Sequence, residues 1–143
     1  METNRETQVW QRVGAPPNSG QSPQELRILL QNAGERVSLF RSLSGQTFRS
    51  REQIKQLQEL ELGNIACLKG MLAFSGQDTK IPVRSLPPAP ARQSLIRGYY
   101  LAKKAAAEYT ARSVDPEFGI VYQQMAGREA IICALVTQLL GET

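Results

Sequence analysis

Apolar residues recur at intervals of three and four along four separate stretches of this chain, and each stretch predicts an amphipathic helix. In the first, Leu26, Leu29, Leu30, Ala33, Val37, Phe40 and Leu43 form one stripe. Ser22 stands at its N-cap, Pro23 takes the first helical position, Glu25 completes a capping-box pattern, and Gly45 ends the helix. The second starts at Ser50 or its neighbours and carries Ile54, Leu57, Leu60, Ile65, Leu68, Met71 and Leu72 before Gly76 closes it. The third runs from about Ala91 to Ser113, with Leu95, Tyr99, Ala102, Ala106 and Tyr109 on one face. Asp115-Pro116-Glu117 then restarts the chain as a fourth helix: Asp caps, Pro occupies the first position, and Glu complements the dipole. Its stripe is Ile120, Val121, Met125, Ala126, Ile132, Leu135 and Leu139, and Gly141 ends it.

The connections differ in kind. Gln77 to Pro90 carries prolines at 82, 87, 88 and 90 and reads as an extended crossover, because proline fixes φ and removes a backbone donor. Residues 1–22 are polar and rich in Gly and Pro, apart from the short apolar knot Val9-Trp10-Gln11-Arg12-Val13. A single tryptophan in such a segment predicts an extended N-terminal tail that docks on the domain through Trp10. Residues 23–143 then form the domain proper. No strand is predicted, so the fold class is all-α, and the short-long-short order of connections describes a four-helix bundle with one long central crossover.

Composition narrows the chemistry. The 143 residues are 41% hydrophobic, enough for one packed domain, and no apolar run approaches the ~20 residues of a bilayer span. No signal peptide is visible in the polar start, and both cysteines, Cys67 and Cys133, lie in apolar helical patterns. Two buried, reduced thiols in a cytoplasmic protein are therefore expected. A net charge of +4 is too mild an excess to point to nucleic acid. Arg36, Arg41, Arg49, Arg51 and Lys55 around the first hairpin read as a solvated basic face. There is no histidine, so no Ser-His or Cys-His nucleophile and no His-bearing zinc or di-iron site can form. Neither a phosphate loop nor a dinucleotide fingerprint appears. Glycines 63, 70, 98 and 127 within helices suggest close helix approach or kinks.

The two halves echo each other: Phe40 and Tyr109 lie 69 residues apart, and Glu61 and Glu129 lie 68 apart. Glu-Leu-Gly-Asn-Ile-Ala-Cys-Leu-Lys-Gly (61–70) and Met-Ala-Gly-Arg-Glu-Ala-Ile-Ile-Cys-Ala-Leu (125–135) resemble the Glu-x-x-His helices of the ferritin-like superfamily, in particular the short rubrerythrin-like proteins of bacteria. The Val9–Val13 knot and the turn from Tyr109 to Pro116 are similar as well, and the resemblance covers residues from about 24 to 141. It implies a di-metal site with one glutamate from each of two helices and a Glu-x-x-His from each of the others. Glu61 and Glu129 match, but the histidine positions hold Asn64 and Ile132, and the lone-glutamate positions fall on Ala33 and Ala102. Glu35, two residues beyond Ala33, points about 200° away on an ideal helix.

Four of six ligands are thus absent, and the expected metal content is none. Ala33, Ile65, Ala102 and Ile132 should centre the core, with Glu61 and Glu129 either buried and partnered or on solvated flanks. The resulting expectation is a metal-free ferritin-like bundle acting as a non-catalytic interaction or structural protein, through self-association or a protein partner and without a membrane. The alternative is a divergent rubrerythrin-like oxidoreductase or metal-storage protein that binds iron or manganese with Glu61, Glu129 and, weakly, Asn64. A third possibility, docking of small apolar molecules between helices, has no residue pattern of its own.

Overall fold

The computed structural model describes residues 22–45, 51–81, 86 and 89–143. Trp10, Ser50, Arg49 and the prolines at 82, 87 and 88 lie outside the described residues. Four α-helices account for most of the rest: α1 (Pro23–Ser42), α2 (Arg51–Phe74), α3 (Ala91–Ala111) and α4 (Gly119–Leu140). Among the described residues there is no strand, and no helix is long and apolar enough to cross a membrane.

Local chemistry accounts for the helix ends. Ser22 Oγ accepts a hydrogen bond from the Glu25 backbone N–H at 3.1 Å, the first half of the capping box, and Pro23 follows it. The Glu25 carboxylate is instead 3.8 Å from Arg112 Nη1. After α2, Gly76 adopts φ 76°, a left-handed conformation that favours glycine and stops the helix. A 3-10 turn (Arg112–Val114) follows α3, two residues earlier than the apolar pattern implies. Asp115 caps as predicted, its Oδ1 accepting from the backbone N–H groups of Glu117 and Phe118 at 2.8 and 2.9 Å. Regular α-helix nevertheless begins only at Gly119, because residues 116–118 form a turn.

Helix α1 packs against α2 and α3, and α4 packs against the same two helices. The core is built in two adjoining layers, one around Leu30, Leu68, Tyr109 and Met125, the other around Phe40, Leu57, Leu95 and Ile132. Ala33, Ala102 and Ile132 are fully buried and Ile65 nearly so, as the apolar pattern requires. Gly98 serves close approach: a Cβ there would sit 2.6 Å from Cε1 of the buried Phe40 ring. Gly70 and Gly127 do not, since a Cβ at either meets open space. Two other expectations fail. Ile120 is 71% exposed, because the buried stripe of α4 runs through Tyr122, Met125, Glu129 and Ile132 at intervals of three and four, and Ile120 lies off it. Cys67 and Cys133 are free thiols but only half-buried, each lying on the border of its helix's apolar face.

Candidate functional site

Each of the four helices sends a polar side chain into the buried centre of the bundle. Glu61 and Asn64 come from α2, Glu129 from α4, Arg36 from α1 and Tyr109 from α3, and none is more than 3% exposed. Helical spacing explains why they meet. Arg36 follows Ala33 by one turn on the inner face of α1, and Asn64 follows Glu61 likewise on α2.

Arg36 organises the group. Its Nη2 lies 3.0 Å from Glu61 Oε1 and its Nε 3.6 Å from Glu129 Oε1, so one guanidinium faces both carboxylates. The Arg36–Glu61 contact is an ion pair without hydrogen-bond alignment, while Nη2 donates to the Tyr109 hydroxyl at 3.1 Å. Asn64 Nδ2 donates to Glu129 Oε2 at 2.7 Å and to the Met125 carbonyl at 3.2 Å. Behind it, Arg128 Nη1 donates to Asn64 Oδ1 at 3.2 Å and lies 3.6 Å from Cys67 Sγ. The solvated basic face read from the sequence is therefore corrected at one member. Arg36 is inside, whereas Arg41, Arg51 and Lys55 are exposed.

Burial acts on these groups in opposite directions. It opposes the charge on Arg36, but attraction to Glu61 and Glu129 outweighs that and holds the guanidinium more firmly protonated than usual. Burial first, and then the neighbouring Glu61, push the Glu129 carboxyl well above the ordinary carboxylate range, against the pull of Arg36 and Asn64. One guanidinium and two carboxylates balance when one proton is held between the carboxylates, and Glu129 is the group pushed towards holding it. Both Glu61 oxygens and Glu129 Oε1 have no aligned donor, so a proton on Glu129 also supplies a donor that the cluster otherwise lacks.

The sequence-predicted site residues thus converge in part. Glu61, Asn64 and Glu129 share one cluster, and Ala33, Ala102 and Ile132 surround the centre with packing atoms. Glu35 lies outside, paired with the exposed Arg97 at 3.0 Å. Arg36 and Tyr109 were missed as site residues. The readable signal was Arg36 itself, a charge at the i+3 position of a stripe that runs through Ala33, Val37 and Phe40.

These donors do not fit a pair of metal ions. The positive charge that the two glutamates face is already a side chain, and Asn64 Oδ1 accepts from Arg128. Among the described residues, no three of His, Cys, Asp and Glu are grouped to hold a metal. Full burial of Glu61 and Glu129 also denies a substrate access to them as an acid-base pair. A recess of about 140 Å³ between Leu39, Ala89 and Ser94 lies apart from the cluster and includes none of its residues. No family model, curated protein or solved structure matches the chain.

Proposed function

We propose that this protein is a metal-free, ferritin-like helical bundle that acts as a non-catalytic interaction or structural protein in the cytoplasm. The observation that carries the metal-free reading is Arg36. Its guanidinium neutralises Glu61 and Glu129 from inside, the electrostatic task that cations perform in rubrerythrin-like proteins. The ring of contacts, α1 on α2 and α3 with α4 on the same two, fits two hairpins joined by a long crossover.

The interaction reading is supported by α4. Its only charged residues are Arg128, half-buried, and Glu129, fully buried. Its exposed face presents Gly127, Ala130, Ile131 and Ala134, flanked by Gln123, Gln124 and Gln138. An exposed helix face that carries no charge lacks the usual mark of a solvated surface, and small residues let a neighbouring helix approach closely. A second copy of the chain is the partner assigned to this face.

Elemental analysis after purification without chelator, and again after incubation with ferrous or manganous ion, tests the first part. No stoichiometric metal is expected. About two metals per chain, lost on Glu61→Ala or Glu129→Ala, would establish the rubrerythrin-like oxidoreductase or storage reading instead. Sedimentation equilibrium tests the second part: the wild-type chain should self-associate and Ile131→Lys should not. An unchanged association state in that variant removes α4 as the interface.

A further inference from the structure

Away from the central cluster, a recess of about 140 Å³ opens between the last turn of α1 and the first turns of α3. Leu39, Leu86 and Ala89 give it an apolar wall, while Ser42, Ser94 and Arg97 bring polar groups to it. Its volume is close to the ~150 Å³ of an apolar cavity that accommodates benzene, so it fits a small organic body. Ser94 is 5% exposed, yet its hydroxyl has no hydrogen-bond partner among the described residues. Ser42 on the facing helix is different, since its Oγ donates to the Leu39 carbonyl at 2.6 Å. A buried hydroxyl ordinarily finds a partner, and one lining a recess meets whatever is seated there. Water would satisfy the hydroxyl alone, whereas an organic molecule with one polar head also covers the apolar wall.

Charge selects the head group. Helix α3 starts at Pro90 without a side-chain cap, has no acid in its first turn and carries Arg92 there instead. No side chain of its own helix therefore offsets the positive end of the dipole. Ser94 and Arg97 stand one turn apart on the same side of α3. Arg97 is 59% exposed at the rim, and its Nη2 donates to Glu35 Oε2 at 3.0 Å, which uses one of a guanidinium's five N–H donors. Glu35 is the single carboxylate side chain in the flanking stretches 35–45 and 89–107. We infer that this recess binds a small monocarboxylate, with its carboxylate on Ser94 and Arg97 and its apolar body against Leu39, Leu86 and Ala89. The dipole and Arg97 favour an anion over a neutral alcohol and repel an ammonium. The site shares no residue with the central cluster or with the α4 face, so it stands apart from the metal-free and self-association readings.

Sodium benzoate is the probe, titrated into the full-length chain at pH 7 and followed by amide chemical shifts in nuclear magnetic resonance. Saturable shifts should centre on Leu39, Ser94 and Arg97. Benzyl alcohol, with the body but no charge, and acetate, with the head but no body, should each bind at least about tenfold more weakly. Ser94→Ala and Arg97→Gln should each weaken benzoate by about tenfold, and Ala89→Leu, which fills the recess, should abolish its binding. Lys104→Gln removes an exposed cation further along α3 and should change the affinity by less than about twofold. Circular dichroism of each variant monitors the helices. Absence of saturable benzoate binding overturns the inference, as does binding that Ser94→Ala and Arg97→Gln leave unchanged. Benzyl alcohol or acetate binding as tightly as benzoate overturns the assigned ligand class. A loss in Lys104→Gln as large as in Arg97→Gln overturns the site in favour of general attraction to a basic surface.

Discussion

Replacing Arg36 with methionine removes the one cation from a centre where Glu61 and Glu129 are both completely buried. The side chain keeps comparable bulk, so the change is chiefly one of charge and hydrogen bonding. Two carboxylate contacts at 3.0 and 3.6 Å are lost, together with the donor to the Tyr109 hydroxyl. One ion pair at about 4 Å is worth about 4 kcal/mol at the effective dielectric of such sites. Removing one partner of a buried pair costs about 3–5 kcal/mol in practice. That is a large share of the ~5–15 kcal/mol that holds a domain of this size together. Urea unfolding followed by helical circular dichroism at pH 7 should show the deficit directly, with a melting temperature lower by on the order of 10 °C. The sign of the pH effect follows from the stranded carboxylates. The folded-state pKa of Glu129 is already raised by burial, and losing the attraction of Arg36 raises it further, so its protonated form supports the fold at low pH and that support fades as pH increases. The deficit against wild type should therefore be smaller at pH 5 than at pH 8. A cost below about 1 kcal/mol at pH 7, the range of a surface ion pair, would refute the buried-cation reading.

Glu129→Gln tests where the proton sits. Because the folded-state pKa of Glu129 is raised, its contribution to stability is complete below the unfolded value of about 4.5 and declines as pH rises through the folded one. The glutamine variant should lose this decline, giving a flatter stability profile from about pH 5 to about 9; an unchanged slope places the titration elsewhere. Gly98→Ala should destabilise by about 1–3 kcal/mol despite alanine's higher helix propensity, because its Cβ would press on Phe40. Gly70→Ala, in open space on α2, should stabilise by up to ~1 kcal/mol. Matching urea midpoints for the two alanine variants would contradict the packing at Gly98.

How much was legible in the sequence depends on the range over which each feature is decided. Ser22-Pro23 and Gly76 set their helix ends through bonds and dihedrals within a few residues, and a sequence displays such local chemistry directly. The stripes that bury Leu30, Leu68, Ala102 and Met125 follow from a period of 3.6 against one apolar side. The boundary at 115–119 was missed by a turn because Asp115 caps in the same way whether helix or turn follows. Glu61, Asn64 and Glu129 could be placed on inner faces by register, but their partner could not. Arg36 belongs to another helix, and whether a long cationic side chain bends inward or lies in water depends on the carboxylates opposite it. Sequence spacing contains no distance between α1 and α4. The tertiary structure alone brings Arg36 to both glutamates, because only packing of the four helices turns three isolated charges into one neutralised cluster.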